Sequence, residues 1–449
     1  MRRCSTVKMR SSEVAAATGG RLVGPDVTVS GAAIDSRQVT GGELFVPVVA
    51  ERDGHDFVGA ALAAGAAAYL SARPVARADG GAPPASTAVA VDDTRAALTA
   101  LGGHARDRLT PRVADRVVGI TGSVGKTSVK DLLAVTFAAG WRTTASVGSF
   151  NNELGVPLTL VDAADDTEAL VVEMGARGLG HVTELCAIAR PVVGVVTRVA
   201  PVHTETFGTI DDVAAAKGEL VEALPVTGVA VLNAGDPRVA AMAARTHARV
   251  VTFGEGGDVR AEGVRLDSDL RPSFRVVTPW GGAVVRLAVR GAHMVDNALA
   301  ALAAALVCDV WLGNVVDALA RADLSRWRME LTTLPSGARI LNDAYNANPT
   351  SMAAALRSLA SLAARRRVAV LGVMAELGPS SDEQHRAVGE LARQLGVEVV
   401  AVGAPAYGGT RVADLEAAVA ALGELGDGDA VLLKGSRVAG LERLMALLA

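Results

Sequence analysis

Aromatic side chains make up only 3% of this 449-residue chain, and cysteine occurs three times, at Cys4, Cys186 and Cys308. Thiols so few and so far apart exclude a disulfide framework and offer no zinc-ligand spacing; they fit a reducing compartment. Half of the residues (50%) are nonetheless hydrophobic, so the cores must be built from alanine, valine and other small or β-branched side chains. Long apolar runs are also missing. The longest, Ala298 to Cys308, stops at Asp309 and falls short of the roughly 20 residues a membrane span needs. It reads as a buried, alanine-rich helix. No basic excess exists either: 44 Lys and Arg stand against 48 Asp and Glu, a net charge of −4, and their scatter leaves no stripe that would hold nucleic acid. The basic start, Met1 to Arg10, runs into Ser11-Ser12-Glu13 rather than an apolar core. No secretory signal is expected there, and the cytoplasm is the expected location.

What the chain does have is Gly119-Ile-Thr-Gly122-Ser123-Val-Gly125-Lys126-Thr127-Ser128, set between an apolar strand pattern (Arg116 to Ile120) and a helical one. Glycines at a strand-to-helix turn let backbone N–H groups and the helix N-terminus converge on phosphate oxygens. Lys126 can then reach the β- and γ-phosphates, and the Thr127 hydroxyl can ligate Mg²⁺. The usual spacing would put glycine where Ile120 stands, so the loop is a variant with glycines at 119, 122 and 125.

Length suggests about three domains. An α/β unit at 1–111 contains the strand-like Leu44 to Val49, a helix around Val58 to Ala68 and a Pro/Gly-rich loop, Asp79 to Pro84. A central unit, 112–325, alternates valine-rich strands (Ala169 to Glu173, Val192 to Val196, Val229 to Leu232, Val250 to Phe253) with helices, as in a mostly parallel sheet covered on both faces. Within it, Phe274 to Thr278 and Ala283 to Val289 around Pro279-Trp-Gly-Gly282 predict a hairpin added antiparallel to the central sheet. A third unit, 326–449, repeats the α/β alternation as a Rossmann-like domain.

Glu173 ends an apolar strand, where a nucleotide-binding sheet places a metal ligand. His203 lies past the end of the next strand, on the same rim. Lys217 falls in the helical run Asp211 to Leu220; by spacing alone it is a solvated lysine beside acids. Asn297 opens the Ala298 helix and by spacing alone caps or packs inside it.

Taken together, the phosphate loop, Phe150-Asn151-Asn152-Glu-Leu-Gly-Val-Pro157, Glu173-Met-Gly, His203, Ala215-Ala-Lys217-Gly-Glu219, His293 to Asn297 and Asp343-Ala-Tyr345-Asn346-Ala-Asn348-Pro349 closely resemble the Mur ligases of peptidoglycan synthesis, over essentially the whole chain. The resemblance implies an ATP-dependent ligase. The substrate carboxylate attacks the γ-phosphate of ATP, and an amine displaces phosphate from the resulting acyl phosphate. Lys126, Lys217 and His203 are the implied catalytic residues; Thr127 and Glu173 would hold one Mg²⁺ and His203 help hold a second. Gly122, Ser123, Gly125, Ser128, Asn297, Arg328, Asp343 and Tyr345 would contact the nucleotide. Lys217 matches the position carbamylated by CO₂ in the family. Ser36, Arg37 and His55, with Asn151 and Asn152, match substrate-binding positions. The loop before Asp53-Gly-His55 is one residue short, however, with Ala50 in place of the usual glycine, so Ser36, Arg37 and His55 read equally as surface-turn residues.

Within the family the pattern looks most like the step joining D-alanyl-D-alanine to UDP-N-acetylmuramoyl-tripeptide. The alternatives are another Mur-type step, a folylpolyglutamate-synthase-like ligase, or an ATP-binding switch that forms no bond. The step that adds diaminopimelate would call for Asp-Asn-Pro-Arg in the third domain; the nearest sequence, Gly235-Asp-Pro-Arg238, lies in the central one. Gly372 to Gly378 with His385 resembles the loop facing the incoming amine, and Lys434 to Arg437 either binds an anionic end of the dipeptide or caps a strand. The chain is expected to act as a monomer.

Overall fold

The structure, a computed structural model, describes residues 8–75, 86–113, 115–201 and 207–448. Cys4 and the Asp79 to Pro84 loop lie outside the described residues.

The first unit is a five-stranded sheet in the order Arg21–Val23, Thr87–Ala90, Ala68–Ser71, Leu44–Phe45, Ala32–Ala33, antiparallel only at the first pair. Its elements are shorter than the apolar runs suggest. The strand stops at Phe45, two residues before Pro47, which has no N–H to give a ladder. The helix ends at Ala63, ahead of Gly65 at φ 100°.

The second sheet is six-stranded and wholly parallel, in the order Arg249–Phe253, Val229–Asn233, Val193–Val196, Val117–Thr121, Ala169–Glu173, Thr143–Ala145. Successive side chains of its strands feed different cores. Val118, Ile120 and Val171 pack with Leu132, Phe137 and Leu299, whereas Val117, Leu170 and Val172 pack with Leu101, Leu160 and Leu220. Burial on both faces is why these strands read as unbroken valine runs. After Val117–Thr121 the chain goes to the edge strand Thr143–Ala145, returns to Ala169–Glu173 beside the first and then crosses to the other side. The end of that strand is therefore the switch point at which open parallel sheets bind ligands. The alanine-rich run forms the predicted buried helix, Met294–Val307.

The helix Thr94–Val113 joins the first two sheets and runs on through Pro111 in its last turn. Its Gly102 faces Pro157 so closely that a Cβ there would meet the Pro157 Cα and Cβ at 2.8 Å. The hairpin at 272–286 forms as read, but it does not join the central sheet. With Arg260–Leu266 it makes a separate three-stranded antiparallel sheet, with a Phe253–Val259 bridge running between it and the central one. The exposed, polar Arg260–Leu266 gave no apolar alternation to read.

The third sheet runs Glu330–Thr333, Arg339–Asn342, Asp429–Lys434, Arg366–Leu371, Glu398–Val402, Thr410–Val412, parallel except for its first strand. The strap leading into it holds Trp327 at φ 61° and Met329 at φ 53°, a region that costs non-glycine residues energy. Among the described residues no helix is long and apolar enough to cross a membrane.

The close approach at Gly102 yields a test. Gly102→Val should destabilise the chain by about 1–3 kcal/mol, the usual cost of overpacking, and calorimetry should record a lowered Tm.

Candidate functional site

Two glycines shape the phosphate loop because nothing else fits. Gly122 sits at φ 139°, and a Cβ there would lie 2.0 Å from Thr197 Oγ1; Gly125 sits at φ 88°, and its Cβ would lie 2.6 Å from Asn297 Oδ1. Neighbouring side chains brace the loop from outside. Thr197 Oγ1 donates to Val124 O at 2.6 Å. Ser123 Oγ donates to Ala200 O at 3.0 Å and accepts from Ala200 N–H at 2.9 Å. Helix Lys126–Ala138 starts directly from Gly125, so its first-turn N–H groups face the loop's hollow.

This hollow opens into a cleft of about 930 Å³ lined from both the second and third units. Lys126 Nζ folds back onto Gly122 O at 2.6 Å and Ser123 O at 3.3 Å; burial lowers its pKa, against the opposing pull of Glu173. Thr127 and Ser128 are buried beside it. Glu173, 1% exposed, receives Asn151 Nδ2 on Oε1 at 2.8 Å, while its buried Oε2 has no hydrogen-bond partner among the described residues. An unpaired carboxylate oxygen beside a threonine hydroxyl at the mouth of a phosphate loop fits a hard divalent cation, which takes oxygen ligands. Asn152 instead turns its Oδ1 onto the chain just ahead of the helix Gly155–Val161, accepting from Gly155 N–H at 2.9 Å.

Lys217 is not the solvated lysine its spacing suggests. It is 1% exposed, with Nζ 5.7 Å from the Phe207 ring centre. Burial first, then the positive charge of Lys126, hold its pKa down to about 7, against Glu219. Glu219 itself accepts from Gly180 N–H at 2.6 Å and Thr183 N–H at 3.0 Å, closing the N-terminus of a neighbouring helix. His203 lies outside the described residues.

The third unit supplies the cleft's other wall. Arg328 stacks over the Tyr345 ring at 4.3 Å, its buried Nε without a hydrogen-bond partner among the described residues. Tyr345 Oη donates to Ser149 Oγ at 2.5 Å, bridging the two units. Asp343 pairs with the buried Lys434 at 2.5 Å, and its Oδ1 accepts from Met329 N–H at 3.2 Å. His293, facing the same pair, has its pKa lowered by burial, against the pull of Asp343. Asn297 reaches the cleft as well as bonding Met294 Sδ at 3.3 Å. Asn348 is turned into an N-cap, accepting from Ser351 N–H at 2.9 Å.

The structure does not bring Ser36, Arg37 or His55 to this cleft. Ser36 and Arg37 form a short 3₁₀ turn in which Arg37 doubly pairs with Asp35, at 2.9 and 2.7 Å. His55 is a correction to the sequence reading. It is buried, with Nδ1 on Asp53 Oδ1 at 2.6 Å and Nε2 accepting from Ala72 N–H at 3.0 Å, so neither ring nitrogen is left for a ligand. His385 behaves similarly: Nε2 accepts from Met374 N–H at 3.0 Å and Nδ1 meets Ser381 O at 2.6 Å. It shapes the loop whose Ala375 and Glu376 do line the cleft. Asp236 of the Asp-Pro-Arg sequence caps a helix, accepting from Arg238 N–H at 3.0 Å. Sequence reasoning missed Ser149, His181 and Arg357, which also line the cleft; they stand singly, and only the fold brings them there.

A phosphate loop on a parallel sheet, with a Rossmann-like unit closing over it and a buried carboxylate and lysine beside it, defines a nucleotide-dependent ligase. The chain belongs to the Mur ligase family. Residues 120–305 match the Mur ligase middle domain and residues 327–437 the Mur ligase glutamate ligase domain. The chain is 42% identical to the UDP-N-acetylmuramoyl-tripeptide–D-alanyl-D-alanine ligase of Mycobacterium tuberculosis, over 91% of this chain and 89% of that protein. It is structurally similar to MurF from Acinetobacter baumannii, with a TM-score of 0.87, 30% identity and 99% of each chain covered. It also resembles the MurF ligase of Thermotoga maritima in complex with ADP, with a TM-score of 0.80 and 27% identity over 93% of this chain and 96% of that one.

The buried amine gives a pH test. Folded, Lys217 loses its proton near pH 7; unfolded, it holds it to the ordinary lysine value of 10.5. Between these values the unfolded chain binds the extra proton, so this group makes stability rise with pH. Lys217→Met should therefore raise Tm at pH 7, and the gain should shrink as pH approaches 10.

Proposed function

We propose that this protein adds D-alanyl-D-alanine to UDP-N-acetylmuramoyl-tripeptide at the expense of ATP, in peptidoglycan precursor synthesis, as a monomer in the cytoplasm. The observation that carries this reading is the meeting of Lys126, Thr127, Glu173 and Lys217 at one end of a cleft whose other wall is Arg328, Asp343 and Tyr345. A nucleotide switch has no need of the buried Lys217. The likeness to the ADP-bound ligase supports ATP as the nucleotide.

In this reading the tripeptide's terminal carboxylate oxygen bonds to the γ-phosphorus as the bond to ADP breaks. The dipeptide's amine then bonds to the acyl carbon, phosphate leaves, and the amine gives up a proton. Lys126 swings from Gly122 O onto the phosphates and offsets charge on the transferring group, the main source of rate in such transfers. Thr127 and Glu173 would hold one Mg²⁺ and His203 would help hold a second, and the ions would supply further positive charge there. Gly122, Ser123, Gly125 and Ser128 cradle the phosphates, while Asn297, Arg328, Asp343 and Tyr345 receive the base and ribose. Asn151 and Asn152 border the acceptor, and Ser36 and Arg37 remain the contacts assigned to the UDP end.

Lys217 fits the carbamate role on physical grounds. Only a neutral amine attacks CO₂, and a pKa of about 7 leaves a large neutral fraction at physiological pH. The carbamate replaces an ammonium that would repel a divalent cation with anionic oxygens that help position it.

Phosphate release with ATP, Mg²⁺ and the UDP-linked tripeptide should depend on D-alanyl-D-alanine, and mass spectrometry should find the pentapeptide. Turnover with a single amino acid instead would assign another ligase step. Lys126→Met should lower kcat by about 10²–10³-fold, the cost of removing one transition-state charge partner.

A further inference from the structure

The reading above leaves a second buried lysine on the phosphate-loop helix without a role. Lys130, one turn after Lys126, is 3% exposed. Its ammonium meets three oxygens: Ser146 O at 3.0 Å, Gly148 O at 3.1 Å and Asp131 Oδ1 at 2.6 Å. An ammonium has three donors, so this one is fully satisfied. The other oxygen of Asp131 accepts from Ser325 N–H at 2.8 Å.

The two ends of this pair lead to opposite sides of the cleft. The segment held by Lys130 grips Glu173 twice, with Ser146 Oγ accepting from Glu173 N–H at 3.2 Å and Asn151 Nδ2 donating to Glu173 Oε1 at 2.8 Å. Between these residues, Ser149 takes the hydroxyl of Tyr345. Asp131 fixes the strap three residues before Arg328, and Asp343 holds the strap's far end at Met329.

We propose that Lys130 and Asp131 are positioning residues for nucleotide and metal: the pair sets Glu173 through the 146–151 segment and Arg328 through the strap, registering the third unit against the phosphate loop. Net stability is a poor explanation for the pair, since buried ion pairs are often replaceable by apolar side chains at no cost. Its geometry is the better one. Methionine would fill the volume of Lys130 but leave the carbonyls of Ser146 and Gly148 without their donor.

The proposal rests on the nucleotide half of the reading above, and its test is independent of amide formation. A non-hydrolysable ATP analogue is titrated by calorimetry into the full-length chain across a Mg²⁺ series, with no acceptor or amine present. Thermal unfolding is recorded in parallel without ligand. Lys130→Met should weaken Mg²⁺-dependent binding by about 10–100-fold, the usual cost of losing a partner that orients a metal ligand, and raise the half-saturating Mg²⁺. Asp131→Asn, which preserves volume, should weaken analogue binding in the same direction. The double variant should be no worse than Lys130→Met alone, because the two act through one linkage. If the variants lower Tm but leave analogue and Mg²⁺ binding within about twofold, a size set by ordinary additivity error, the pair is merely structural and the proposal fails. Should Lys130→Met not fold, Asp131→Asn decides by the same readout. A wild-type chain that binds the Mg²⁺ analogue but makes no amide removes the acceptor assignment alone; one that binds no Mg²⁺ nucleotide overturns both.

Discussion

The immobility of one turn of backbone governs the rest of the cleft. Gly122 and Gly125 are crowded by Thr197 and Asn297 to the point that a single extra carbon would collide, so the loop between them keeps its shape without a ligand. Donors fixed in advance need no reorganisation when charge arrives, which is why such loops bind phosphate strongly. The crowding side chains come from two other parts of the same unit, the end of Val193–Val196 and the start of Met294–Val307. The phosphate loop is thus clamped by the fold as a whole.

Around that loop the protein accumulates positive charge where water is scarce. Lys126, Lys130 and Lys217 all lie within or beside one helix turn of the cleft floor, and each meets its burial differently. Lys130 is neutralised by a full set of oxygens. Lys126 leans on two carbonyls it can leave. Lys217 meets the cost by giving up its proton near neutrality. A fixed, a movable and a titrating cation are distinct tools, and only the last two sit where chemistry would use them.

Much of this was legible in the sequence. The parallel sheet followed from valine runs buried on both faces, and the phosphate loop from its glycines and Lys126-Thr127. Glu173 stood out because strand ends at a switch point face ligands. The failures have physical causes. His55 looked like a surface-turn ligand because sequence cannot show that Asp53 and Ala72 already occupy its ring. The antiparallel hairpin was attached to the wrong sheet because its polar third strand has no apolar period. Lys217 looked solvated because its helix carries acids on the face away from the cleft, and Ser149 was silent because its partner, Tyr345, is nearly two hundred residues away.

The scarcity of aromatic residues has a practical corollary. The chain has four tryptophans. Trp280 and Trp311 are 39% and 73% exposed, and Trp141 lies under the Arg116 guanidinium, past the far end of the phosphate-loop helix. Trp327 alone sits in the strap between units, with the Arg437 guanidinium of the opposite loop 4.3 Å above its ring. A cation that close to an indole alters its emission, so the protein carries a built-in optical reporter in this strap. Any shift of the third unit that slides Arg437 off that ring would change the light the molecule emits.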